Sequence, residues 1–479
     1  MTSIRSLELV LCILLSTAVP ARAQSWQPLT NQPAFDASNA LLLTDGTVMV
    51  QQVEAAEWYL LTPDIFGSYV NGTWSQLASF SADYGPLYYA SAVLADGRVI
   101  VVGGEYILSG PPVWSNRGFV YNPLADAWTE LSPPNGWTNI GDAQSTVLAD
   151  GTFLLANPFD TRIARLDPAT LTYTNLNPPK DDRNDEEGWT LLPDGSVLTV
   201  DVLAATLSQR YIPSSNQWVT AGSTVVRLVD RGSQEVGPAV LRPDGTVFAT
   251  GATGHNAIYD AISDTWAVGP DFPFVPGEGQ YDIADGPASL LPNGNVLCAA
   301  SPGIFQRPTH FFEFDGKNLT RVADIPRGPS ISSYYGRMLL LPTGQVLFTD
   351  YSRDVEVYTS SGSFNPAWAP TIVSAPTSVQ PGLTYAISGI QFNGLSQGAA
   401  YGDDAQSATN YPLVRITNSV TGHVFYARTH DHSSMGVATG DAVVSTSFDV
   451  PAAVELGDSD LEVIANGIPS EPVIISISP

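Results

Sequence analysis

The stretch Ala239–Gly251, AVLRPDGTVFATG, sets two apolar, β-prone arms on either side of a Pro-Asp-Gly corner. Proline presets the turn and Gly245 can take the positive φ that the corner needs, so the stretch predicts a β-hairpin. The same text recurs along the chain. NALLLTDGTVMVQQ ends near Gln52, SAVLADGRVIVVGG near Gly104 and STVLADGTFLLAN near Asn157, and WTLLPDGSVLTVD, ASLLPNGNVLCAAS and MLLLPTGQVLFTD complete the set. Seven copies stand about fifty residues apart, which is the spacing of four-stranded propeller blades.

The text between hairpins fits two further strands per repeat. One carries an aromatic near its end (Tyr59, Tyr121, Tyr211, Tyr259, Phe312, Tyr358), and the next usually opens on tryptophan (Trp74, Trp128, Trp218, Trp266). An extra strand, Trp26–Leu29, precedes the first hairpin, while the last repeat has Val355–Tyr358 but no fourth strand. The Trp26 strand is therefore expected to close the ring against Val355–Tyr358, which removes open sheet edges. The repeat stops near Asn365-Pro366-Ala367-Trp368. Short alternating strands follow, among them Thr384–Gly389, Leu413–Asn418, Val443–Val450 and Leu461–Asn466, with a long Gly-, Ser- and Asp-rich loop at Phe392–Asn410. The expected fold class is all-β: a propeller over residues 24–365, then an immunoglobulin-like β-sandwich over 366–479.

Residues 1–23 read as a secretory signal, with Arg5, the apolar run Leu9–Leu15 and the small-residue end Ala21-Arg22-Ala23. The run is too short to span a bilayer, and secretion to an extracellular or periplasmic space is expected. Loss of that segment removes Cys12 and leaves Cys298 without a disulfide partner, placed mid-strand as a small buried hydrophobe. The net charge of −27 argues against nucleic acid or anionic membranes as partners and suits solubility or cationic ligands.

A seven-bladed propeller followed by a small sandwich, with text such as TGATGHNAIYDAISDTWAVGPD, resembles the galactose oxidase and glyoxal oxidase family of kelch-type proteins with a C-terminal early-set domain. The resemblance implies a copper held by two tyrosines and two histidines, one tyrosine being cross-linked to a cysteine. Position by position, the cysteine falls on Val236, the cross-linked tyrosine on Asp285, the Tyr-His pair on Tyr334-Tyr335, and the stacking tryptophan near Pro302. Tyr334 survives, and His430 in ARTHDHSSMG is the match for the C-terminal histidine. The fold is thus implied, whereas the radical copper centre is not.

Eight or nine residues before each hairpin corner stand Asp36, Tyr88, Asp142, Glu186, Glu235, Asp285, and Tyr334 with Tyr335. In a propeller these positions enter the innermost strands, at one mouth of the central channel. Glu105, Asp201, His255 and Asp350 are expected on the same face. Carboxylates so crowded must protonate, pair with arginine or bind a cation, and Arg231, Arg337 and Arg353 are near in sequence. Three readings stay open for the ring: strand-end caps around a wet pore, a site for a hydroxylated or cationic ligand, or a metal site. His430 and His432 are a second candidate, since residues i and i+2 of a strand share a face and two imidazoles can reach one zinc, manganese or iron ion. The alternative use is to fix a loop by hydrogen bonds. Gly402-Asp403-Asp404 reads as a solvated turn or a calcium-holding loop, and Asn71 and Asn318 stand in glycosylation sequons.

The leading functional expectation is a secreted protein that binds a glycan or other polyhydroxylated ligand at the acidic, tyrosine-lined mouth. Beside it stand a metal-dependent oxidoreductase or hydrolase using His430, His432 and Asp285 or Glu235, and an extracellular protein-interaction or adhesion module.

Overall fold

The computed structural model describes residues 24–204 and 206–479, so residues 1–23, which the sequence reads as a secretory signal, lie outside the described residues. Seven antiparallel sheets, six of four strands and one of five, form a β-propeller. The hairpin at Ala239–Gly251 is the inner half of one of them, Ala239–Leu241 and Thr246–Ala249, followed outward by Ala257–Asp260 and Thr265–Val268. Its corner works as the sequence dictates. Asp244 accepts hydrogen bonds from the Thr246 amide at 3.0 Å and the Thr246 hydroxyl at 2.6 Å, and Gly245 has φ +84°. The glycines at the other six corners lie between +76° and +85°, a left-handed backbone open to glycine at no steric cost.

Ring closure comes from the first described strand. Ser25–Pro28 pairs antiparallel with Glu356–Thr359, placing Trp26 opposite Tyr358. Trp26 packs on Phe311, Phe348 and Tyr358 with ring centroids 4.7, 5.6 and 4.8 Å away, and its indole N–H donates to the Ala323 carbonyl. Trp26→Ala is expected to cost about 2 kcal/mol, since the side chain is half-buried, and to lower the thermal midpoint measurably in calorimetry.

The C-terminal part is one continuous curled sheet around its own apolar core, which includes Val414, Ile416, Phe448, Leu461, Val463 and Ile475. The two layers of a sandwich are joined here because Val424–His430 pairs with Val414–Thr417 through its first half and with Ser447–Asp449 through its second. This sheet sits on the face of the propeller that carries the hairpin corners. The Thr429 amide donates to the Thr44 carbonyl at 3.0 Å, the His432 amide to Ala95 at 3.1 Å, and the Met435 amide to Ala149 at 3.0 Å. Each innermost strand begins at the opposite mouth and runs toward its corner, so the acidic positions are at the far end of the channel from this contact.

One segment connects the two ends. The 392–410 loop leaves the C-terminal sheet and threads the channel. Ala399–Tyr401 adds to the inner edge of the blade that starts at Pro287–Leu290, and that sheet becomes five-stranded. Side chains and amides along the loop then engage the other blades. Gln397 accepts from the Leu191 amide and donates to Thr146, the Ala405 amide donates to the Tyr89 carbonyl, and Ser407 donates to Ala40. Among the described residues no helix is long and apolar enough to cross a membrane.

Candidate functional site

Where the loop emerges at the far mouth, it completes a cavity of about 540 Å3. Asp142, Glu186, Glu235 and Asp285 approach from four successive blades, and Asp403 and Asp404 come from the loop. Tyr88, Tyr334, Tyr335, Tyr351 and Phe305 form much of the wall. Backbone geometry aims several of these side chains. Tyr88, Glu186, Asp285 and Tyr351 have φ of 53°, 58°, 48° and 58°, the left-handed region that non-glycine residues enter at a cost of about 1 kcal/mol each. Strain of this kind persists only where the surrounding structure holds it, and here the innermost strands and the threaded loop do so.

The carboxylates crowd into two triads that share Glu186. Oxygens of Glu186, Glu235 and Asp285 lie within 4.8 Å of one another, and so do oxygens of Asp142, Glu186 and Asp403. At an effective dielectric of about 20, two unit charges at that separation repel by about 3 kcal/mol. None of the six forms an ion pair with lysine, arginine or histidine among the described residues. Burial first, and mutual repulsion second, therefore favour the protonated forms. Glu186 is raised to about 8 and Glu235 to about 12, while burial raises Asp285 to about 6 against the pull of Arg337. Asp142, Asp403 and Asp404 are held well above the usual carboxylate range, chiefly by burial. Glu235 has an oxygen within 4.8 Å of oxygens of both Glu186 and Asp285, so each of the three carboxyls favours the neutral form of its neighbours.

Arg337 lies beneath the pocket but does not neutralise it by contact. Its guanidinium stacks 3.6 Å from the Tyr401 ring centroid and donates to the Tyr351 hydroxyl at 2.8 Å and to the Tyr334 and Gly336 carbonyls at 2.9 Å. Of the other two arginines near in sequence, Arg353 pairs with Asp36 at 3.4 Å, and Arg231 forms no ion pair among the described residues.

The structure brings together Tyr88, Asp142, Glu186, Glu235, Asp285, Tyr334 and Tyr335, with Glu105 on the rim. It leaves others apart. Asp36 does not line the pocket: the neighbouring Ala37 amide is tied to the Ser352 carbonyl, and the Asp36 side chain is half-exposed against Arg353. His255 sits on a surface turn with Nδ1 3.0 Å from Asp271. Asp350 is buried on Arg327 at 2.8 Å. Asp201 is buried in the environment of Lys180, whose ammonium pairs with Glu187 at 2.7 Å in full burial.

His430 and His432 are not in the channel either. They lie at the corner end, where the His432 amide meets Ala95. Asp431 turns left-handed, with φ 53°, so the strand stops at His430 and the face-sharing of i and i+2 is lost. His430 has its two ring nitrogens on Asp431 at 2.8 Å and Asp449 at 3.2 Å, and His432 is buried beside Thr446, its pKa lowered to about 3 by burial. Asp403 and Asp404, whose sequence reads as a turn or calcium loop, are the residues the C-terminal domain sends through the pore.

No family model matches the chain. It is 26% identical to the Kelch-like protein terF of Aspergillus terreus over 279 residues, 48% of this chain and 54% of that protein, so the chain spans about half the length of that relative. Among solved structures it is similar to a fungal alcohol oxidase of the AA5 family in complex with copper, with a TM-score of 0.52 at 16% identity, covering 96% of this chain and all of that one. A catalytically inactive form of virginiamycin B lyase from Staphylococcus aureus with quinupristin matches at a TM-score of 0.51 and 11% identity, over 71% of this chain and 100% of its own. The fold is that of galactose-oxidase-like kelch propellers.

A copper-radical centre does not fit the residues that stand in this pocket. Val236 is buried apolar where the thioether cysteine would be, and Asp285 replaces the tyrosine to which it would be joined. Cys298 is buried within an apolar cluster of the propeller. No imidazole lines the pocket among the described residues, and the donors there are carboxylate and phenol oxygens.

Proposed function

We propose that this is a secreted, galactose-oxidase-like kelch propeller that binds a carbohydrate or other polyhydroxylated ligand in the acidic, tyrosine-lined pocket. The observation that carries the reading is the lining itself, eight carboxylates, Glu54 and Glu105 included, with Tyr88, Tyr334, Tyr335 and Phe305 around about 540 Å3. Carboxylates and phenols accept and donate to hydroxyls, and the aromatic faces suit the C–H faces of sugar rings. Secretion is supported by the signal-like text of residues 1–23. A glycan and polyol array tests the reading. Binding is expected for the wild-type protein and is expected to fall at least about tenfold in Tyr335→Ala; an array blank at millimolar ligand contradicts it.

A further inference from the structure

We infer that the pocket is a calcium site, in which Glu186, Glu235 and Asp285 on one side and Asp142 and Asp403 on the other hold one hard divalent cation. The inference rests on the reading that this pocket takes the protein's ligand, and it names what the ligand's hydroxyls would close upon.

A buried carboxylate cluster has three ways to exist: protonation, pairing with arginine or lysine, or a bound cation. No arginine or lysine forms an ion pair with these carboxylates among the described residues: the Arg337 Nη atoms donate to Tyr351 and to two carbonyls, and its face lies on Tyr401. An observation independent of the crowding concerns the loop. Asp403 is 4% exposed and lines the cavity, yet its Oδ2 has no hydrogen-bond partner. Asp404, 1% exposed, leaves Oδ1 unpartnered in the same place. An orphaned buried acceptor bears the full cost of its lost hydration, the more so when charged, and a cation held by Asp142, Glu186 and Asp403 removes that cost for Asp403.

The donor set selects the ion. All the candidate ligands are oxygens, which favours hard cations over copper or zinc. They come from four blades and a threaded loop, an all-protein cage of adjustable carboxylates. Calcium accepts six to eight oxygens at flexible angles, whereas magnesium keeps several waters and is seldom held this way. Calcium also retains open positions for the vicinal hydroxyls of a polyol.

The test is calorimetric titration of CaCl2 into protein first dialysed against EDTA and then freed of it, at pH 7.5, with MgCl2 as comparison and circular dichroism to verify folding. One calcium per chain is expected, bound at micromolar Kd or tighter, with at least about tenfold weakening in Asp403→Asn and in Glu186→Gln. Asp36→Asn, outside the pocket, is expected to bind as wild type. The inference is overturned if the wild-type protein takes up no calcium at millimolar concentration, or if the two pocket variants bind it unchanged. Array hits that persist in EDTA with no calcium bound overturn the calcium site and leave the ligand reading standing. Calcium bound with no array hits does the reverse.

Discussion

Gly402→Ala is expected to abolish ligand binding at the pocket while both β-structures remain folded. Gly402 is a point of close approach between the threaded loop and the blades. A Cβ placed there meets the Asp285 Oδ1 at 2.2 Å, and Gly188 packs directly on the Gly402 carbonyl from the other side. The nearest atom is the tip of a short side chain, and moving it to relieve the contact takes the Asp285 carboxylate out of the triad with Glu186 and Glu235. Otherwise the loop backs out, carrying Asp403 and Asp404 with it. Overpacking of this kind costs about 1–3 kcal/mol, a small fraction of what holds a propeller and sandwich of this size. The expected outcome is a modest drop in thermal midpoint with loss of at least about a hundredfold in affinity for calcium and for any array hit. Titration and melting of the same variant check both halves. Wild-type affinity in Gly402→Ala would mean that the loop does not position the site.

Raising the pH in EDTA is expected to destabilise the protein by several kcal/mol. The direction follows from the raised carboxyls. Glu186 titrates near 4.5 in an unfolded chain and is raised to about 8 when folded, and Asp285 moves from 3.8 to about 6. Their contribution is complete below about pH 4, where both states are protonated, and is lost as pH climbs through 6 to 8 and the folded chain must give up protons that burial favours keeping. Other buried carboxyls add to the same slope. Glu356 is raised to about 9 and Asp282 to about 8, both chiefly by burial. Each tenfold difference in proton affinity between the folded and unfolded chain corresponds to about 1.4 kcal/mol, so the sum lowers the apparent melting temperature by roughly 5 °C or more between about pH 5.5 and 8.5. Scanning calorimetry in EDTA across that range checks it. A midpoint that rises with pH would contradict the buried, unpaired state of these groups. Calcium is expected to restore the share of the loss that comes from Glu186 and Asp285, since it replaces their departing protons, and to leave the share of Glu356 and Asp282 unchanged.

Much of the fold was legible because its information is local. A hairpin corner needs a glycine at positive φ and an acceptor two residues before the returning strand, and Asp244-Gly245-Thr246 writes both in adjacent letters. Repetition then fixes the register, which is why counting back from each corner finds Asp142, Glu186, Glu235 and Asp285. The same count fails for Asp36, and the expectation that His255, after the second strand of its hairpin, opens on the same face fails too: a neighbouring amide bond in one case and an Asp271 contact in the other turn the side chain away. Such turns depend on partners far off in sequence. The threaded loop was illegible for the same reason. Ala399–Tyr401 pairs with Pro287–Ser289 across more than a hundred residues, and nothing in its composition distinguishes a pore-filling strand from a surface loop. Its Gly-Ser-Asp text marks the absence of a core of its own, which suits a segment that borrows the channel's polar groups.

The resemblance to copper-radical oxidases assigns the C-terminal contribution to His430, and the structure gives that role in space to Asp403 and Asp404. The chemistry differs accordingly, because oxygen-only donors favour hard cations and hydroxyls over redox-active copper.

The most direct measurement is a crystal structure of the protein grown with calcium and the best ligand from the array. Density is expected in the far mouth of the channel, with a sugar or polyol against Tyr334 and Tyr335 and its hydroxyls directed toward Glu186, Glu235, Asp285 and Asp403. A ligand bound elsewhere, such as the groove between Ile65 and Val424 at the corner face, would contradict it.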